Sequence, residues 1–170
     1  MSKPIESTFP AYFKQYIDQV KEDELALAFK NQQADINDFF DSIPEEKTTS
    51  GYAPGKWTLK ELLQHIIDTE RIFNYRSLAF ARNETASLPG FDENDYAANS
   101  NANERSWKSL CEELKVVRKS TEILYNSFSD EALQSSGLAN NKPTTVLALG
   151  FITLGHFNHH KKVVEEKYLV

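Results

Sequence analysis

The stretch that most limits the possible folds comes last. From Val146 to Phe157 the chain is apolar on nearly every side, and the pattern continues through Val163, Val164 and Tyr168. Periodicity alone does not separate a buried helix from a buried strand in such a run. Length does, because about 24 residues far exceeds an ordinary strand. The run therefore predicts a helix whose first half is enclosed, and such a helix needs the apolar faces of other helices around it.

The rest of the chain supplies those faces. Tyr12, Phe13, Tyr16, Ile17 and Val20 mark a helical stripe from Pro10 to about Val20, after a leading segment, residues 1–9, expected to be flexible. Leu25, Leu27, Ala28, Phe29, Gln32, Ile36, Phe39 and Phe40 mark a second stripe, which Pro44 ends. Residues 44–56 read as an ordered connection rich in turn formers. Thr58-Leu-Lys-Glu61 is a capping box, and the helix it opens should run to about Arg82.

Asn83 to Asn103 shows no sustained period and reads as a long crossover. Asn103 is a plausible cap for the next helix, striped by Trp107, Leu110, Leu114, Val117, Thr121, Leu124 and Phe128. Ser129-Asp-Glu-Ala suggests a short helical turn, Gly137 to Pro143 breaks the pattern, and Thr144 is placed as the cap of the last helix. No segment alternates with period two over six residues. The expected fold is all-α, with helices long enough for a four-helix bundle, and 170 residues are most simply one domain.

Within the final helix lies Gly155-His-Phe-Asn-His-His160. Residues four apart share a helix face about 5–6 Å apart, so His156 and His160 offer two imidazoles from one side, while His159 points away. Such a pair by itself is a weak signal. It gains weight because the chain has four histidines and the fourth, His65, sits beside the apolar face of another long helix. Together the three suggest one metal site between two helices. On the same helix as His65, Glu70 falls near the middle of the apolar side, which demands a partner. It reads either as an ion pair with an arginine on another helix or as a carboxylate that orients a metal-bound imidazole. Asp68, on the polar flank, reads as a solvated charge.

Other classes are disfavoured. A net charge of −6 argues against nucleic acid and against an anionic membrane surface. No stretch approaches the roughly 20 apolar residues of a membrane span, and Met1 to Ser7 lacks a signal-peptide core, so a cytoplasmic location is expected. Cys111 is the one cysteine and reads as a small buried hydrophobe, with no disulfide or thiolate cluster possible within the chain. No His-Glu-x-x-His, phosphate-binding glycine loop or nucleophile elbow is present.

The strings Tyr52-Ala-Pro-Gly-Lys-Trp-Thr-Leu-Lys-Glu61, Leu62-Leu-Gln-His-Ile-Ile-Asp-Thr-Glu-Arg71, Tyr75-Arg76, Leu88-Pro-Gly-Phe-Asp92 and Gly155 to His160, taken together, resemble the DinB/YfiT-like superfamily. The resemblance spans about residues 11 to 168. It implies an up-down-down-up four-helix bundle holding a divalent metal, zinc or nickel in many members, on three histidines that match His65, His156 and His160. His159 would not ligate. Members are often homodimers. The last motif departs where the chain has Lys161-Lys162-Val163 instead of the frequent Arg/Leu-Gly-Gln.

Three imidazoles leave coordination positions open, as in catalytic sites. Two chemistries fit. In one, a low-molecular-weight thiol such as bacillithiol or glutathione is kept deprotonated and transferred to an electrophile, a chemistry the resemblance also implies for some relatives. Arg76 and Lys161 are then candidates for binding the thiol's carboxylates. In the other, an acidified water attacks, giving a hydrolase, with Glu70 or Asp68 as candidate base. A bundle that binds metal or a partner without catalysis is the third possibility.

Overall fold

The computed structural model describes residues 1–170. The capping box forms as its spacing predicts: Thr58 Oγ1 accepts from Glu61 N at 3.1 Å, and Glu61 Oε2 accepts from Thr58 N at 2.8 Å. The helix it opens spans Leu59–Ala81 and carries one face into the core through Leu59, Leu62, Leu63, Ile66, Phe73 and Phe80. In chain order the helices are α1, Lys14–Ile17; α2, Leu25–Asp38; α3, Leu59–Ala81; α4, Glu93–Asn99; α5, Trp107–Asn126; α6, Asp130–Gln134; and α7, Val146–Val163. Val164–Tyr168 continues α7 as a wider π turn.

The four long helices, α2, α3, α5 and α7, make a four-helix bundle. Each of α2 and α3 packs against both α5 and α7, so α2 faces α3 across the middle. Side-chain hydrogen bonds fix the directions. Lys60 reaches Arg105, Asn74 reaches Thr121 and Ser77 reaches Tyr125, so α3 and α5 run parallel. Gln32 binds Leu154 and Asn158 while Asp35 binds Lys161, so α2 and α7 are parallel too. His65 meets His156 and His160, whereas Trp57 O accepts from Tyr168, so α3 and α7 are antiparallel. The order is up, down, down, up. Parallel neighbours cannot be joined by a tight turn; the chain must travel back the length of a 23-residue helix, about 34 Å. Residues 82–106 make that journey.

Local structure departs from the sequence pattern in four places. The stripe from Pro10 to Val20 is helical only in part, a 3-10 turn Ala11–Phe13 followed by the four-residue α1. The crossover is not featureless, since Asp92 caps α4 through Asn94 N and Asp95 N. The caps of α5 and α7 are Ser106 and Thr145 rather than Asn103 and Thr144. Finally, the break at Gly137 to Pro143 is an antiparallel hairpin, β1 (Ser136–Ala139) with β2 (Lys142–Thr145). Its turn residues Asn140 and Asn141 both have positive φ, 51° and 58°, the pairing a type I′ turn requires.

Two apolar clusters fill the bundle, one around Phe29, Phe80, Tyr125 and Phe151, the other around Phe40, Leu63, Leu110 and Phe157. Between them lies a buried polar layer. Arg118, 1% exposed, donates through Nε and Nη2 to the two oxygens of Glu70, each at 2.9 Å, and through Nη1 to Gln32. Thr121 Oγ1 donates to Glu70 Oε1 at 2.6 Å. Glu70 is thus the ion pair with an arginine on another helix, one of its two readings. Cys111 is buried. No helix is long and apolar enough to cross a membrane.

Candidate metal centre

His65 and the pair on α7 meet because α3 and α7 pack antiparallel and one face of each is apolar around the histidine. His65 is flanked by Ile66 and Ile67, both fully buried, and His156 by Leu154 and Phe157. Gly155 has a further task. A Cβ there would lie 2.0 Å from the carbonyl oxygen of Tyr16, so only glycine lets the backbone of α1 settle against α7 at this level. The Tyr16 ring then stands edge-on to His156, with centroids 5.5 Å apart.

The three imidazoles converge through their Nε2 atoms. His65 Nε2 and His160 Nε2 each lie 3.0 Å from His156 Nε2, and the ligand atoms of all three lie within 4.8 Å of one another. A neutral imidazole nitrogen has one proton or one lone pair, so His156 Nε2 can satisfy at most one of these neighbours by hydrogen bonding. A tetrahedral cation with bonds of about 2.0–2.1 Å sets its nitrogen ligands about 3.3 Å apart. Both 3.0 Å spacings to His156 are within a few tenths of an ångström of that. The donor set and its spacing therefore fit a divalent metal.

Electrostatics agree with the geometry. Burial holds the His65 ring down to about 4, with the charge of His159 adding to the effect. Burial, then the neighbouring rings, pushes His156 and His160 well below the ordinary range. All three are neutral at neutral pH, the form that binds metals. Around them the support is sparse. Trp57 packs on His65 at 4.9 Å, Thr69 Oγ1 stands 3.5 Å from His65 Nδ1, and the buried His160 Nδ1 has no hydrogen-bond partner. His159 lies outside the cluster, against the Tyr16 ring at 5.4 Å.

His65 and His156 line a cavity of about 290 Å³. Its floor is the α3 stripe His65, Thr69, Phe73 and Arg76; Tyr12, Phe13 and Tyr16 form one wall, Phe91 and Glu93 another, and Asn140, Lys142 and Thr144 of the hairpin a third. Arg76 is therefore in the cavity. The other residues singled out from the sequence are elsewhere. Glu70 is committed to Arg118. Asp68 accepts from Gln64 Nε2 at 2.8 Å on the α5 side, where partial burial raises its pKa. Lys161 pairs with Asp35 at 2.8 Å and lies over the Phe39 ring, on the α2 side of α7. Sequence reasoning missed the walls. The Asn140-Asn141 dipeptide was the available signal for the hairpin, and Phe91 stood within the Leu88–Asp92 string, whereas nothing local pointed to Glu93.

Residues 28–164 match the model of the DinB superfamily. No curated protein matches the sequence. Among solved structures, YfiT from Bacillus subtilis, described as a probable metal-dependent hydrolase with an unusual four-helix bundle topology, superimposes with a TM-score of 0.71 over 96% of this chain and 90% of that one, at 15% identity.

Proposed function

The chain belongs to the DinB superfamily, and on that premise we propose that it is a metal-dependent enzyme joining a low-molecular-weight thiol, of the bacillithiol or glutathione kind, to an electrophilic carbon. The observation that carries this reading is that His65 and His156 open onto an aromatic-walled cavity while both carboxylates of α3 near them, Asp68 and Glu70, are engaged elsewhere. Hydrolysis calls for a base within reach of the attacking water. Thiol transfer needs only a deprotonated sulfur and a positioned electrophile.

In this reading His65, His156 and His160 present neutral nitrogens to a zinc or nickel ion. The bound ion would supply the positive charge that keeps a thiol deprotonated at neutral pH. Phe13, Tyr16 and Phe73 exclude water from one side, leaving the sulfur poorly solvated. The sulfur lone pair forms the new C–S bond as the bond to the leaving group breaks and its electron pair departs with that group. The thiol proton goes to solvent as the thiol binds. The protein acts as a homodimer in this reading, on the strength of the family resemblance.

Hydrolysis is the second reading. It is favoured by the description of YfiT and by Glu93, a carboxylate in the lining of the same cavity. One panel separates the two: bacillithiol, glutathione and coenzyme A with monochlorobimane, beside an activated ester, each with metal-loaded and stripped protein. A metal-dependent rate with one thiol is expected. No rate with any thiol, together with metal-dependent ester cleavage, would transfer the site to hydrolysis; neither would leave a bundle that binds metal without catalysis.

A further inference from the structure

We infer that the substrate carries a carboxylate removed from its reacting atom, and that Arg76, with Lys142 lining the same cavity, is the group that holds it. The inference rests on the cavity being the active site and names one chemical feature of what enters it.

Arg76 is 7% exposed, yet it forms no ion pair. Of its five N–H groups, one is used within the protein, Nη2 donating to Pro89 O at 2.8 Å. Its guanidinium lies 6.0 Å from the ring centroids of Phe73 and Phe91, neighbours that offer no charge. The other buried arginine, Arg118, is matched donor by acceptor to Glu70 and Gln32. A buried cation without a counter-charge is costly, and burial with no compensating partner lowers the pKa of Arg76. Such an arrangement is sustained where a ligand brings the missing charge, and the guanidinium fork suits a carboxylate's two oxygens.

Position sets the distance. His65, Thr69, Phe73 and Arg76 follow one face of α3, and the Phe73 ring stands 6.3 Å from the His156 ring and 6.0 Å from the guanidinium, so the cation and that imidazole are separated by an aromatic ring and by at most about 12 Å. The carboxylate therefore sits across the Phe73 ring from His156. Lys142, on β2 and likewise free of ion pairs, lines the same cavity and adds a second positive charge. Glu93, the one carboxylate in the lining, is paired with neither cation.

The probe is S-methylglutathione, whose sulfur is capped, beside its diethyl ester, measured by calorimetry on metal-loaded wild type, Arg76→Met and Arg76→Lys, with metal content and helicity recorded for each. Wild type should bind the acid roughly 10- to 100-fold tighter than the diester. Arg76→Met should erase that difference by weakening the acid alone, and Arg76→Lys should restore part of it, at unchanged metal content. Equal binding of acid and diester by wild type, equal weakening of both in Arg76→Met, or no binding of the acid at millimolar concentration would overturn the assignment. Because the probe cannot transfer its sulfur, acid-selective binding without activity in the thiol panel would retain this subsite and reject only the transfer reading. Thiol transfer indifferent to Arg76 would do the opposite.

Discussion

Two buried polar clusters lie at about the same level of the bundle, and they are finished differently. In the layer of Gln32, Glu70, Arg118 and Thr121, opposite charges meet and acceptors face donors. In the cluster of His65, His156 and His160, three neutral rings turn like atoms toward one point, and His160 Nδ1 is left without a partner. The first arrangement is complete as protein. In the second, the converging Nε2 atoms are matched only by a cation. Burial and polarity alone do not separate a structural group from a functional one; the test is whether the chain itself supplies the complement.

The comparison can be broken most sharply from the structural side. Glu70→Ala leaves Arg118 buried and unpaired and should cost about 3–5 kcal/mol in denaturant unfolding, while Glu70→Leu with Arg118→Met should recover most of it. If Glu70 instead oriented a metal ligand, the double variant would recover stability but lose metal affinity. Next comes the metal. The wild type should purify with one divalent ion per chain and the His65→Ala, His156→Ala, His160→Ala triple variant with none. Free metal at about 1,000 times its dissociation constant should stabilise the first by about 4 kcal/mol and leave the triple variant unmoved. Equal metal content would remove the site.

A smaller effect follows from protonation. The His65 ring takes a proton near 4 when folded and near the ordinary 6.5 when unfolded, so the unfolded chain gains protons first as pH falls. Stability of the metal-free protein should be full above about 6.5 and decline from there to about 4, with roughly 3 kcal/mol at stake from this ring. His65→Phe should lessen that decline in pH-dependent thermal unfolding, leaving the share of His156 and His160, which burial also holds well below the ordinary range. The smallest effect belongs to Asp68. Its carboxylate faces Gln64 and Arg71 rather than the imidazoles, so Asp68→Asn should change stability by less than about 0.5 kcal/mol and leave metal content as it was.

Much of this was legible in the sequence where the cause is local. The capping box at Thr58 needs only residues three apart, and the length of the run after Val146 excludes a strand. The histidine site was legible for a different reason: with so few histidines, a facing pair on one helix and a single one on another leave little choice. What was hidden depends on distant neighbours. The aromatic spacing of Tyr12, Phe13 and Tyr16 looks helical over eleven residues, but contact with α7 at Gly155 uses only a short turn of it. The four-residue strands of the hairpin are too short to reveal a period of two. Lys161 looked like a neighbour of the site because it follows His160, yet one residue is about 100° of helix, enough to carry it to Asp35.

The cavity takes its floor and the imidazoles of His65 and His156 from long packed helices, but two of its walls from the Tyr12–Tyr16 turn and a two-stranded hairpin. Those wall segments can be re-lettered or lengthened without disturbing the converging nitrogens of the three histidines. If the proposed function holds, Asn140 and Lys142 are thus the natural places to retune what enters the cavity, with the three imidazoles held constant beneath them.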